Sequence, residues 1–288
     1  MTIIRPNSGT APITKLPKGT VDAQMHMYLP DFPAIAGGPP LPGGILPGPN
    51  EYREFMAWLG IERVIITQGN AHQADNGNLL ACLDAMGDIA RGIAVLTPQT
   101  TQAELAAYQA AGVVGARIMD LPGGAIGLQD LETIDAMTAE LDWALAVQFN
   151  GSHLREHLPR LQKLRARCVF DHHGKFFDGY EQQDIKALKS LIDGGKTYFK
   201  FAGCYESSKS GAPHYEDVAE LARDIAAHAP DRILWGTNWP HNLAKTTEDY
   251  PDDAALTDTV LSWLPDQAAL QLALVDNPEA FFKLPKFA

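Results

Sequence analysis

Eight short β-rich runs follow one another along the 288 residues, and helical patterns fill most of the gaps between them. In order they are TVDAQ, RVIIT, RGIAVL, GARIM, ALAVQF, RCVFD, TYFKFAG and RILWG. Several are almost continuously apolar, as strands of a parallel sheet covered on both faces must be. Between them, NEYREFMAWLG places Tyr52, Phe55, Met56 and Leu59 at i, i+3, i+4 and i+7, with Gly60 positioned to cap the end. TQAELAAYQAAG opens with a Thr101/Glu104 capping box and stops at Gly112. DLETIDAMTAELDW, HLREHLPRLQKL, EQQDIKALKSLIDGG and YEDVAELARDIAAHAP carry further amphipathic patterns.

Eight such units predict an α/β fold, a (β/α)8 TIM barrel, formed as a single domain over residues 20–288 behind an N-terminal arm of residues 1–19. A doubly wound sheet is the competing class. The first strand is followed by no glycine-rich phosphate loop, which favours closure into a barrel. Chemistry in a barrel sits at the C-terminal strand ends. The loop after the first strand, residues 29–50, holds seven prolines and five glycines, the make-up of a semi-rigid flap over the pocket. Packing decoration is the plainer reading of the same loop.

The formal charge of −12 argues against nucleic acid and anionic membranes as partners. An anionic substrate would then need cations placed locally. No apolar run is long enough to span a membrane, and the N-terminus lacks the apolar core of a secretion signal. Cys82, Cys168 and Cys204 are far apart and form no CxxC pair, so a disulfide framework or structural zinc site is not expected and a cytoplasmic location is. Nothing in the sequence sets the oligomeric state.

The strand ends carry a polar constellation. Strand one offers Gln24 and His26, and strict alternation would put Asp22 on the same side. Strand four brings Arg117, strand five Gln148 and Asn150, and strand six Asp171, His172 and His173. Strand seven brings Lys200 and leads to Cys204, Tyr205 and Glu206, and strand eight ends at Asn238 and His241. A lone strand-end histidine is more often structural than catalytic. His153, His157, His214 and His228 are read as surface or capping residues, and His72 as either. Arg117 and Lys200 are different, because a cation in a barrel strand is costly unless it is paired or reaches the mouth.

VDAQMHMY, VIITQGNAHQADN, GIAVL, GARI, FDHHG, YFKFAG and DRILWGTNWPH, in that order, resemble the amidohydrolase superfamily. The nearest branch is the one that contains 2-pyrone-4,6-dicarboxylate lactonase and sugar-diacid lactone isomerases. The resemblance runs from about residue 20 to 245 and implies a distorted (β/α)8 barrel. Metal-dependent relatives have HxH on the first strand, a later histidine and a final aspartate. Here those positions are Gln24 and His26, His172, and Asn238. Two neutral histidines and two amides offer no anionic ligand to a divalent ion, so neither a metal nor another cofactor is expected.

Asn238 also cannot take a proton, which removes the base that the resemblance implies for hydrolysis. The expected activity is metal-independent isomerisation of a sugar-diacid 1,5-lactone to the 1,4-lactone by intramolecular acyl transfer, with a small-molecule lactone as the partner. His26 or His172 would be the base, and Lys200 or the other histidine would hold the oxyanion. Arg117 would grip the free carboxylate. Asn238, counted with His26, His172 and Lys200 among the catalytic residues, and Gln24 would hydrogen-bond hydroxyls or the lactone carbonyl, and Gln148, Asn150, Tyr205 and His241 would bind other polar groups of the substrate. The alternatives are a lactone hydrolase with His241 or Asp171 as base, and a non-catalytic sugar-acid-binding barrel.

Overall fold

The computed structural model describes residue 5 and residues 10–287, so most of the expected arm before residue 10 lies outside the described residues. The eight expected strands are present: β1 Val21–Met25, β2 Arg63–Thr67, β3 Ala90–Ala94, β4 Val113–Met119, β5 Ala144–Gln148, β6 Arg167–Phe170, β7 Thr197–Phe201 and β8 Ile233–Trp235. They form one parallel sheet in sequential order. Helix α1 (Pro49–Leu59) buries Tyr52, Phe55, Met56 and Leu59 and ends on left-handed Gly60. Helix α3 (Gln102–Ala110) opens with the Thr101/Glu104 capping box. Between them lies α2 (Gly77–Met86), which the apolar pattern does not single out.

The remaining helices are α4 Leu131–Glu140, α5 Leu154–Leu161, α6 Gln182–Asp193, α7 Glu216–His228, α8 Asp253–Leu261, α9 Gln267–Gln271 and α10 Asn277–Phe282. One apolar core lies between sheet and helices. A second fills the barrel, where Val21, Ala23, Ile65, Ile93, Ala146 and Val169 pack with Phe281 and Phe282 of α10. Among the described residues no helix is long and apolar enough to cross a membrane, and the three cysteines are free and buried.

The ring closes by an irregular seam. β8 has only three residues, and the chain just beyond it completes the join to β1: Asn238 N donates to Gln24 O at 2.8 Å, and His26 N to Trp239 O at 2.8 Å. A side chain at Gly236 would come within 2.5 Å of Gln24, so glycine is needed there. Asp22 ties the seam together. Its carboxylate accepts from Thr237 N at 3.0 Å, Gln24 N at 3.0 Å, Tyr52 Oη at 2.7 Å and Thr237 Oγ1. Burial pushes this carboxyl up to about 6, against the pull of those four donors.

The expected alternation in β1 fails at this point. The register shifts between Asp22 and Met25. The shift leaves Gln24 and His26 facing the barrel and turns Asp22 toward Tyr52 and Thr237. In the expected arm, Ile13 N and Thr14 N donate to Asp258 of α8 at 2.9 and 2.7 Å.

Candidate active site

A cavity of about 690 Å³ opens over the C-terminal ends of the strands. His26, Arg117, Gln148, His172 and Asn238 line it, together with Tyr28, Asn70, Lys175, Glu206 and Asn242. Residues 39–43 of the proline-rich loop lie over it, with 121–123 and 243–245 completing the rim.

His26 is only 7% exposed, and its Nδ1 lies 2.8 Å from Thr67 O. A carbonyl can only accept, so Nδ1 carries the proton and Nε2 holds the lone pair. Burial, reinforced by Arg117, brings the imidazole down to about 4, so it is neutral at pH 7. Arg117 donates to Gln68 O at 2.8 Å and Gln148 Oε1 at 3.2 Å, while its buried Nε has no partner.

On the opposite wall, Asn238 Nδ2 donates to Glu206 Oε1 at 2.7 Å and Tyr205 Oη at 2.8 Å. Its Oδ1 faces His172 Nε2 at 3.1 Å, so that nitrogen is the donor. Burial, then the Lys175 charge, keeps the His172 imidazole well below its ordinary range. Lys175 pairs with Glu206. Behind this wall Tyr205 Oη donates to His241 Nδ1 at 2.6 Å, and His241 Nε2 to Asp253 Oδ1 at 2.8 Å.

Beneath the cavity is a sealed polar layer. Lys200 is fully buried, donates to Gln24 Oε1 at 3.0 Å and lies 2.6 Å from Asp171 Oδ1. The Lys200–Asp171 contact is a buried ion pair. Burial works to raise the Asp171 carboxyl, but Lys200, His172 and Arg117 outweigh it and hold it below the ordinary range.

The expected site residues therefore divide. His26, His172, Asn238, Arg117 and Gln148 share the cavity. Lys200 and Gln24 are bound to each other and are not among the residues that line it. Tyr205 and His241 stand behind Asn238 as its support. Asn150 is not among the residues that line the cavity. It caps the turn at Gly151–His153 by accepting from Ser152 N, and its amide donates to Asp178 at 2.8 Å. Lys175 and Glu206 enter the site in their place. Their only sequence signal is position, just past DHHG and just past the seventh strand.

The donor set does not suit a divalent metal. The Gln24 oxygen already accepts from the Lys200 cation, and the oxygen of Asn238 is turned to an N–H of His172. Among the described residues, no group of three or more His, Cys, Asp or Glu could hold one.

The chain belongs to the amidohydrolase family, whose model matches residues 21–284. It is 58% identical over 284 residues to the D-galactarolactone isomerase of Agrobacterium fabrum, covering 98% of this chain and 97% of that one. A 4-sulfomuconolactone hydrolase of Hydrogenophaga intermedia is 31% identical, covering 81% of this chain and 78% of that one. An apo crystal structure from Agrobacterium tumefaciens superposes with a TM-score of 0.96 at 57% identity, covering 98% of this chain and 100% of that one.

Proposed function

We propose that the protein is an isomerase that converts a sugar-diacid 1,5-lactone of the D-galactaro type to the 1,4-lactone by intramolecular acyl transfer, without a metal. Identity of 58% to an enzyme of that name, over nearly all of both chains, supports the substrate. One feature of the site carries the mechanism: the neutral His26, whose Nδ1–H is tied to Thr67 O and whose Nε2 lone pair is left for the cavity.

In the 1,5-lactone, O4 reaches C1 across the six-membered ring once the ring adopts a boat. Attack then gives a bridged intermediate in which O4 and O5 share one carbon. His26 Nε2 takes the proton from the 4-hydroxyl and returns it to O5 as the C1–O5 bond breaks. One imidazole serves both transfers, and water takes no part in the balance. Arg117, whose Nε is unpaired, and Lys175 supply the positive charge for the free carboxylate and the oxyanion. The loop over the cavity keeps water from intercepting the intermediate.

The reading includes a single barrel domain of residues 20–288 behind an arm of 1–19. It also includes a cytoplasmic location, which the three free, buried cysteines support. Following a purified 1,5-lactone by NMR tests the activity. The 1,4-lactone should build up ahead of any open-chain diacid; diacid formed at the enzymatic rate with no 1,4-lactone before it would overturn the proposal. That outcome would favour a lactone hydrolase, the activity in the name of the 31% identical relative. Chelator dialysis with elemental analysis tests the metal: activity lost with a stoichiometric ion would refute that part.

A further inference from the structure

Asn238 sits in a hydrogen-bond chain that runs in one direction only. Glu206 is a carboxylate and can only accept, so the group facing Glu206 Oε1 at 2.7 Å must be the Asn238 NH2. The second proton of that NH2 then points to Tyr205 Oη, whose own proton goes to His241 Nδ1, and His241 Nε2–H ends on Asp253. The Asn238 oxygen is left for His172 Nε2–H. Backbone geometry holds the pair in place. His172 and Asn238 both have left-handed φ, 53° and 60°. A side chain at Gly203 would strike Asn238 Nδ2 at 2.7 Å and His172 Cδ2 at 2.8 Å. The corner is built around these two side chains.

We infer that Glu206, itself held by Lys175, is a positioning residue that makes an amide obligatory at position 238 and keeps a second ionised carboxylate out of this corner. An aspartate at 238 would put an oxygen where Nδ2 now stands, 2.7 Å from Glu206 Oε1. Two carboxylates at that separation cannot both be charged, and with Lys175 holding Glu206 in its charged form the shared proton stays on the new carboxyl. The choice between internal hydroxyl and water as nucleophile then lies with Glu206 as much as with Asn238. This last step rests on the isomerase reading; the coupling between Glu206 and position 238 does not.

A four-protein cycle tests both parts: parent, N238D, E206Q and N238D/E206Q. In thermal unfolding near neutral pH, N238D should lower Tm in the parent background and lower it much less, or raise it, in the E206Q background. In product analysis, the double variant should give an open-chain diacid to 1,4-lactone ratio on the order of tenfold above that of N238D alone. A measurement that leaves position 238 intact guards against variants that do not fold. The Asn238 side-chain NH2 resonances should shift and lose exchange protection in E206A. Additive Tm effects, or unchanged NH2 resonances, would refute the positioning role and leave the isomerase reading standing. Strong coupling in a parent that forms no 1,4-lactone would do the reverse.

Discussion

Two polar layers lie one above the other in the barrel, and they differ in what surrounds them. Gln24, Lys200 and Asp171 form the lower layer, fully enclosed and bonded mainly to one another. His26, Arg117, His172, Glu206 and Asn238 form the upper one, buried yet lining the cavity. Both layers hold a cation, a carboxylate and an amide. The upper one adds two histidines and access to the cavity, and these separate a layer that holds the barrel in shape from one that can meet a substrate.

The sharpest way to break this division is to exchange the symptoms of the two layers. H26A should lower kcat about 10²–10⁴-fold, the usual contribution of a positioned general base, and leave Tm near the parent's. K200M should do the opposite. It strands the buried Asp171 carboxylate, costing about 3–5 kcal/mol in denaturant unfolding, with a smaller direct effect on the chemistry of the folded fraction. A K200M enzyme of normal stability and abolished kcat would move Lys200 to the upper layer.

R117A removes the guanidinium, with its unpartnered Nε, from the cavity wall and should raise KM about 10–100-fold for a lactone carrying a carboxylate. The effect should shrink for a neutral lactone, which a side-by-side kinetic comparison would reveal.

The pH profile sharpens the same contrast. His26 is held near 4, below its ordinary 6.5, so the neutral base is present through the neutral range. The initial rate should be flat above about pH 5.5 and fall as pH drops through 4. Because the folded pKa is depressed, the folded state resists protonation that the unfolded chain accepts. His26, and with it His173, held down to about 3 by burial, therefore lose their stabilising contribution as pH falls from about 6.5 toward 4, while Asp22, raised to about 6, takes its proton first in the folded state and offsets part of that loss. The smallest effect belongs to N150A: a lost cap of about 0.5–2 kcal/mol with kcat/KM unchanged, since its side chain serves the turn after β5.

How much of this is readable from the sequence depends on whether a feature repeats. α1 and α3 follow a 3.6-residue period with explicit caps, and both are legible to within a residue or two. GNLLACLDAM is apolar on more than one face, so its period is blurred and α2 escapes the pattern. The bulge in β1 breaks alternation by definition, and strict alternation puts Asp22 on the wrong side with it. His26, His172 and Asn238 are found because their strand ends carry family motifs. Lys175 is not, and Glu206 is seen at its strand end without a role, since what brings them to the cavity is left-handed backbone at His172, His173, Lys175 and Gly203. No pattern of residue types encodes those angles. Likewise, Lys200 and Arg117 are both strand cations, and only the depth of each along its strand tells which one a substrate can touch.

The seam described above has a consequence for what activity measures. Gln24, His26 and Asn238 are set by bonds that cross from the first strand to the chain just after the last. Sequence neighbours elsewhere in the barrel can pair without that crossing, but these groups come together only in the finished ring. A molecule open along this edge could keep most of its helices and strands and still turn over nothing. Turnover per mole of chain is therefore a gauge of ring closure, and it should register an opened seam before any probe of average secondary structure does.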